Sequence, residues 1–169
     1  MIKSPKVTLR YQQIKDAKRF FKIFQSPNFT YFNVRVKTVE EEREFLRKNK
    51  EKRKNNSEHN FSIIYKKKLV GAVGISIQRR SYIGEIGYFI DEKYWRKGIA
   101  TAAVKLVEEI ALKKLKIRRL EIYCHPKNVG SRKVAEKSGY KKQAILKKYY
   151  DRGNGNLENS VLYAKIIDN

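Results

Sequence analysis

The sequence lacks any long hydrophobic run: no apolar stretch of its 169 residues approaches the roughly 20 that a membrane-spanning helix needs. Its first six residues, MIKSPK, lack the apolar core of a secretory signal, which favours a cytoplasmic location. The single cysteine, Cys124, excludes a disulfide within the chain. Because no cluster of cysteine and histidine accompanies Cys124, no zinc site or other metal site is expected.

Acidic residues are also scarce, since 17 Asp and Glu stand against 40 Lys and Arg and give a net charge of +23. Such a charge attracts nucleic acid, anionic membranes and polyanionic cofactors, and it repels polycationic substrates. The cations are spread along the whole chain, as a compositional bias of the genome would also produce, so a functional and a compositional origin both stay open. The hydrophobic content of 41% and aromatic content of 12% predict one folded domain over residues 1–169.

Hydrophobic periodicity predicts an α/β chain in which strands and helices are mixed. The predicted strands are 7–11, 61–65, 69–77, 83–90, 118–124, 143–149 and 161–167, the last two joined by a turn at 151–156. The predicted helices are 14–24, 38–53, 98–111 and 128–137, with Thr38 as an N-cap and Gly139 as a C-cap. This order folds into one layered sheet with helices on its faces.

The most informative segment is residues 94–103, YWRKGIATAA, which lies between a predicted strand and a predicted helix. The free N–H groups and the positive dipole end at a helix start favour a bound anion. Gly98 and Ala100 keep the backbone accessible to a diphosphate, while Arg96 and Lys97 add positive charge. The alternative is an ordinary helix start that happens to contain glycine. A Walker A loop is excluded, because the chain has no GxxxxGK[ST] motif.

Several segments in order resemble the GNAT superfamily of acyl-CoA-dependent N-acyltransferases. They are Leu9–Arg10 with Asp16, Leu69–Gly74, Glu85–Ile90, the 94–103 loop, and Asn128–Ser131 with Glu136–Tyr140. The last pair is similar to the RimJ/RimL-like branch, which acetylates ribosomal-protein N-termini and various small amines. The resemblance implies a single-domain, mixed and mostly antiparallel central sheet flanked by helices. It also implies direct transfer of an acetyl group from acetyl-CoA to an amine.

The resemblance assigns parts of the acetyl-CoA site to particular residues. Phe89 and Ile90 are expected to offer backbone groups to the pantetheine arm. The residues expected to wrap the pyrophosphate are Trp95, Arg96, Lys97, Gly98, Ile99, Ala100 and Thr101. Asn128 is expected to bond the cofactor or to cap its helix. Ser131 either binds the cofactor or protonates the departing thiolate, because Ala135 stands where other branches carry a tyrosine acid.

The attacking amine must lose a proton, so the reaction needs a base. Glu85 and Glu121 are the carboxylates within apolar strands, and each is a candidate, with an ion pair to a nearby cation as the alternative. Tyr123 shares the strand face of Glu121 and is expected to line the acceptor cleft. His125 is expected to be a loop histidine, with a proton carrier as the alternative, and Cys124 a small core residue.

The charge favours a protein N-terminus, presented near the ribosome, as the acceptor, because polyamines and many antibiotics are themselves polycations. A small-molecule amine remains the alternative if Glu40, Glu41, Glu42 or Glu85 forms a local acidic pocket. A second alternative is a non-catalytic RNA- or ribosome-binding module on the same scaffold, supported by the basic run 113–119. Both a monomer and a homodimer remain open.

Overall fold

The computed structural model describes residues 6–32, 36–151 and 155–167. The strands are β1 (Val7–Tyr11), β2 (Glu58–Tyr65), β3 (Lys68–Ile77), β4 (Ile83–Ile90), β5 (Arg119–Cys124), β6 (Lys141–Asp151) and β7 (Leu157–Ile166). The helices are α1 (Ala17–Phe24), α2 (Val39–Lys54), α3 (Ile99–Leu115) and α4 (Val129–Lys137). Short 3-10 turns at Ile14–Asp16 and Glu92–Tyr94 precede α1 and α3.

The seven strands form one sheet in the order β1-β2-β3-β4-β5-β7-β6. Every neighbouring pair is antiparallel except β4 and β5, which run parallel. Strand β7 lies between β5 and β6, so the closing hairpin joins the sheet through its second strand. The predicted mixed and mostly antiparallel sheet is confirmed.

The helices cover the two faces of the sheet in pairs. On one face, α3 and α4 pack on a core that includes Ile86 and Ile90. On the other face, α1 and α2 pack around Phe20 and Leu46, with Phe89 against this second cluster. Because consecutive strand residues point to opposite faces, Phe89 and Ile90 belong to different cores.

Two carboxylate contacts fix the position of α1. Asp16, at its start, accepts hydrogen bonds from both terminal nitrogens of Arg10 on β1, each 2.7 Å long, and another from Ser62 on β2. Burial alone would raise the pKa of Asp16, but these hydrogen bonds and the Arg10 charge hold that pKa below its usual range. Asp16 therefore ties α1 to the sheet as a charged group.

The predicted helix ends agree with the structure. Thr38 caps α2 by accepting a hydrogen bond from the Glu41 N–H at 3.1 Å. Gly139 follows α4 with φ of +86°, a left-handed conformation that suits glycine. The other predicted ends are shifted by only a few residues, most visibly at β2, which begins at Glu58 rather than at residue 61.

Part of the predicted turn at 151–156 lies outside the described residues, because 152–154 are not among them. None of the described helices is both long enough and apolar enough to span a membrane.

Candidate functional site

Strands β4 and β5 separate along their length and open the sheet. Their pairing covers only Ile83 with Arg119, Gly84 with Leu120, and Glu85 with Glu121. Beyond Glu85 and Glu121 the two strands continue without pairing to one another. Backbone groups that face such an opening need partners from elsewhere, so the split is a place where an extended, amide-containing ligand can bind.

The hydrogen bonds of β4 decide which residues face this opening. At the two ends of its ladder with β3, Ile83 O accepts from Gln78 N at 2.9 Å and Asp91 N donates to Val70 O at 2.8 Å. The register between them is unbroken, so the odd-numbered residues bond to β3 and the even-numbered ones point to the opening. Tyr88 and Ile90 therefore present backbone groups to the split.

This alternation corrects one prediction. The backbone N–H and C=O of Phe89 belong to the ladder with β3 and do not face the split. Its ring packs instead among Phe20, Phe24, Phe29 and Phe32 on the α1 side. The sequence placed the ligand-facing edge at the right end of β4, but one residue out of step for Phe89.

The Ile90 carbonyl already accepts one hydrogen bond, from the indole N–H of Trp95 at 2.7 Å. A carbonyl oxygen has two lone pairs, so this bond leaves room for a second donor. Trp95 is 42% exposed and spends its one polar atom on β4. Its observed role is to hold the loop before α3 against the end of β4.

The start of α3 has the backbone geometry of an anion site. Arg96 and Gly98 both adopt left-handed conformations, with φ of +60° and +72°, and Gly98 is the N-cap. Gly98 has no side chain to cap the helix, and the first turn contains no acidic residue. The N–H groups of Ile99, Ala100 and Thr101 therefore lie at an uncapped helix start, as predicted for a pyrophosphate.

The two cations beside this helix start differ in their contacts. Arg96 is exposed. Lys97 turns back, because its Nζ donates to Lys93 O at 2.9 Å and lies 5.2 Å from the centre of the Tyr94 ring. Arg96 is therefore the better placed of the two to meet a phosphate without first breaking a contact.

Two carboxylates that the sequence did not single out hold this loop in place. Asp91 is buried, pairs with Arg19 of α1, and accepts a hydrogen bond from Lys93 N at 3.0 Å. Glu92 accepts from Ser26 Oγ at 2.7 Å and Asn28 Nδ2 at 2.8 Å, and these hydrogen bonds hold the pKa of Glu92 below its usual range. The segment after α1 is thereby joined to the loop before α3.

Ser131 lies beside a tyrosine at the split. Its Oγ is 3.0 Å from the Tyr88 hydroxyl, which also lies 3.1 Å from the Ser131 carbonyl oxygen. Burial raises the pKa of Tyr88, so its hydroxyl stays protonated. Asn128 caps α4, accepting from Ser131 N at 3.0 Å, which is the structural alternative stated for it. The Asn128 side-chain oxygen is thus already engaged.

The two candidate bases face each other across the last paired position of β4 and β5, but their surroundings differ. Glu121 accepts from Arg119 Nε at 2.6 Å and from the Tyr123 hydroxyl at 2.8 Å. Glu85 accepts from the neutral amide of Gln78 at 2.9 Å and, within the described residues, forms no ion pair. Burial, followed by the nearby charge of Glu121, raises the pKa of Glu85 against the effect of the Gln78 hydrogen bond.

An open space adjoins Glu85. Gly87, two residues along the same face of β4, is exposed, and a Cβ built there would meet no atom within 4 Å. Tyr123 lies on this face of β5 and stacks on Tyr149 with a centroid distance of 5.3 Å. Glu85, Gly87 and Tyr123 thus border a cleft on the α1/α2 side, as expected for Tyr123.

The predicted catalytic residues therefore form two groups. Ser131, with Tyr88, lies on the α3/α4 face of the sheet, whereas Glu85 and Glu121 lie on the α1/α2 face. Both groups adjoin the split, where the two faces are in communication. Tyr88 was missed by sequence reasoning, although a tyrosine alternating with Ile86 and Ile90 in a buried strand signals a polar partner at its hydroxyl.

His125, at the end of β5, joins three segments. Its Nδ1 accepts from Lys127 N at 3.0 Å, so Nε2 carries the proton of the neutral ring and lies 3.5 Å from the Glu158 carboxylate. Its ring stacks on Tyr31, with a centroid distance of 5.0 Å. Cys124 beside it is buried, and burial raises the pKa of its thiol to about 11, as suits a core residue.

Comparisons with known proteins agree with this geometry. Residues 6–141 match the family model described as an acetyltransferase (GNAT) domain. The probable N-acetyltransferase YjcK of Bacillus subtilis is 32% identical over 159 residues, covering 88% of this chain and 87% of YjcK.

Two solved structures share the whole architecture. The microcin C7 self-immunity acetyltransferase MccE, in complex with acetyl-CoA and AMP, has a TM-score of 0.86 at 27% identity and covers 96% of this chain and 93% of its own. The ribosomal-protein-S5-alanine acetyltransferase of Vibrio fischeri has a TM-score of 0.83 at 26% identity and covers 95% and 92%.

Proposed function

The chain belongs to the acetyltransferase (GNAT) family and is an N-acetyltransferase, and on this premise we propose that it acetylates a protein N-terminal α-amine with acetyl-CoA. The observation that carries the proposal is the split between β4 and β5, which adjoins a hydroxyl pair on one face and an unpaired carboxylate on the other. An amine and a thioester can meet there with an acid and a base at hand.

The residues around the split fit acetyl-CoA. The free edge of β4 at Tyr88 and Ile90 suits the amides of the pantetheine arm, as an added strand pairs with a sheet edge. The uncapped start of α3 suits the pyrophosphate, and Arg96 adds a positive charge there. MccE, a relative with the same fold, has been solved with acetyl-CoA.

The chemistry assigns different tasks to the two carboxylates. The amine nitrogen attacks the thioester carbonyl, the C–N bond forms and the C–S bond breaks, while the ammonium proton must leave. Glu85 accepts that proton, directly or through a water, because burial and the charge of Glu121 make it more basic than an ordinary glutamate. Glu121, tied to Arg119 and Tyr123, orients this part of the cleft and supplies the charge beside Glu85.

Ser131 delivers a proton to the departing thiolate. Its hydroxyl lies at the start of α4, 3.0 Å from the Tyr88 hydroxyl, so the two can pass a proton between them. Tyr88 keeps its proton at neutral pH and can restore that of Ser131.

A protein N-terminus fits the charge of the molecule better than a polycation does. The net charge of +23 disfavours polyamines. Two of the acidic residues of α2 are already engaged, Glu40 with Arg43 and Arg47, and Glu41 with the Lys37 N–H. One relative of the same fold is named for acetylating a ribosomal protein at alanine.

A small-molecule amine is the second candidate, and two carboxylates favour it. Glu42 is buried on the inner face of α2, and within the described residues neither Glu42 nor Glu85 has a cationic partner. A cationic amine could supply that charge to Glu85 in the cleft.

A thiol-release assay with a panel of amines separates these candidates. Peptides that begin with alanine or serine are expected to be acetylated faster, in kcat/KM, than spermidine. The reverse order would replace the first candidate by the second. Thiol release with none of the amines, together with no heat of acetyl-CoA binding at low salt, would remove both and leave a non-catalytic scaffold.

A further inference from the structure

The second half of α2 carries a concentration of positive charge that the proposed reaction does not use. Residues 47–54, RKNKEKRK, hold six cations and one carboxylate within about 12 Å of helix. Arg47, Lys50, Arg53 and Lys54, together with Glu51, line an open concavity of about 550 Å³. These four cations with Lys48 form what we call the α2 basic face.

Three members of this face are free to bind an anion. Lys48, Lys50 and Lys54 are exposed, and none of them forms an ion pair within the part of the chain that the structure describes. Arg47 is engaged with Glu40 and Glu44. The cations at 47, 50 and 54 share one side of the helix, because they recur at intervals of three and four residues. They form a stripe along α2.

Arg53 adds a rigid, planar element to the stripe. Its guanidinium carbon lies 4.1 Å from the centre of the Tyr11 ring, and Tyr11 stacks on Phe61 at 4.8 Å. Tyr11 is 42% exposed although it lies on edge strand β1. A guanidinium held over an exposed aromatic ring is preorganised for a phosphate and offers a plane on which a base can stack.

From this arrangement we propose that the α2 basic face binds the phosphodiester backbone of RNA and holds the enzyme beside acceptors that are presented on RNA. The inference rests on the proposed function, in which the acceptor is a protein N-terminus. The face lies over β1 and β2, through the contacts of Arg53 with Tyr11 and of Lys52 with Glu58. The split between β4 and β5 therefore stays accessible when the face is occupied.

RNA fits this face better than a membrane does. A helix that binds a membrane surface needs an unburied apolar side. The apolar side of α2 is spent on the protein, where Leu46 packs against the α1 cluster, and its exposed Phe45 is covered by Lys52, whose Nζ lies 4.6 Å from the ring centre. What remains at the surface is charge with one stacked arginine, which matches a phosphate backbone carrying bases.

The experiment compares two variants with equal changes in charge. Lys50→Glu/Lys54→Glu alters the α2 basic face, and Lys113→Glu/Lys114→Glu alters the exposed end of α3 in the basic run 113–119. Binding of a fluorescein-labelled single-stranded RNA of about 20 nucleotides is measured by anisotropy from about 50 to 200 mM salt. Duplex DNA and phosphatidylserine vesicles are measured in parallel, and circular dichroism and thiol release report the fold and the reaction.

The α2 variant is expected to bind the RNA at least about tenfold more weakly, and its salt slope should fall by about two, one for each lost phosphate contact. The α3 variant should lose less than about threefold, because only the general field changes. Thiol release with a short peptide should be unchanged in both, so a failed acetyltransferase assay is distinct from failed RNA binding. Equal losses in the two variants, no RNA binding by the native protein, or tighter binding to vesicles or DNA than to RNA would each overturn the proposal.

Discussion

The face of the sheet beneath α3 and α4 offers neutral hydroxyls at the split, whereas the face beneath α1 and α2 offers carboxylates. On the first, Ser131 and Tyr88 form a hydrogen-bonded pair above a core of aliphatic side chains. On the second, Glu85 and Glu121 lie side by side, and only Glu121 has a cation. The two faces meet where β4 and β5 separate.

This difference gives each face a task in the proposed reaction. A departing thiolate needs a proton from a group that is protonated at neutral pH, and a hydroxyl whose pKa is raised by burial remains so. An ammonium needs a group that can take its proton, and a carboxylate of raised pKa does so near neutrality. The sheet itself keeps the acid and the base apart, so they do not neutralise one another.

The largest expected effect is on the α3 side, at Gly98. Replacing Gly98 by Glu puts a carboxylate at the helix start, where it competes with the pyrophosphate for the same N–H groups. Acetyl-CoA affinity, measured by calorimetry, should fall by at least about 100-fold, the size expected when about 3 kcal/mol of binding is lost. The φ of +72° strains any other L-residue as well, so the thermal midpoint should also drop slightly.

A matched variant separates charge from strain at this position. Gly98→Asn keeps the side chain neutral, and asparagine tolerates the left-handed conformation better than most residues. Its affinity should fall by less than about tenfold, on the same binding scale. Native affinity in Gly98→Glu would mean that the pyrophosphate binds elsewhere.

The next largest effect should distinguish the two carboxylates of the α1/α2 face. Glu85→Gln removes the proposed base and should lower kcat by about 10²- to 10³-fold. Glu121→Gln keeps a hydrogen-bond partner for Tyr123 and should cost about tenfold or less, because it only removes the charge beside Glu85. If Glu121→Gln is the more damaging change, the assignment of the base is reversed.

The pH dependence gives an independent check. A base acts only when deprotonated, so kcat/KM should rise with pH through the pKa of Glu85, which lies above that of an ordinary glutamate. In Glu121→Gln this limb should move to lower pH, because the neighbouring negative charge that raises the pKa is gone. In Glu85→Gln the limb should disappear.

The contrast between the faces also explains what could be predicted from the sequence. The loop 94–103 and the segment 128–131 are local, so their residue types and spacing predict an uncapped helix start and a capped one before any tertiary contact is known. The strand β4 was predicted to the residue for the same reason, since its apolar pattern is continuous.

The acceptor side is built from distant parts of the chain, and its features could not be predicted in the same way. Glu85 and Glu121 are neighbours only because β5 pairs with β4 after the α3 crossover. Strand β2 was begun too late because its first residues are polar, and they are polar because Asn60 and Glu58 bond to Asn49 and Lys52 of α2. The register that corrects Phe89 likewise depends on which residues of β3 it meets.

A smaller effect is expected on the hydroxyl face. Ser131→Ala should lower kcat by about tenfold, less than the 10²- to 10⁴-fold typical of losing a sole acid, because the Tyr88 hydroxyl lies in the same pair. Tyr88→Phe should cost less than Ser131→Ala, and the double variant should cost more than the product of the two. Additive losses would show that the two hydroxyls do not substitute for one another.

The smallest effect concerns stability and tests whether the uncompensated carboxylates belong to the acceptor side alone. Glu42 is buried on α2, and burial raises its pKa to about 7. The folded state thus binds a proton that the unfolded state releases near pH 4.5, so the native protein loses stability as the pH rises from about 4.5 through 7. Glu42→Gln removes that loss: its free energy of unfolding should exceed the native value by about 1–3 kcal/mol at pH 8 and match it at pH 4. Urea titrations at both pH values measure the difference. If acetyl-transfer kinetics of Glu42→Gln are unchanged, Glu85 is the carboxylate that meets the amine; if KM for the amine rises while stability increases, the acceptor cleft extends to α2.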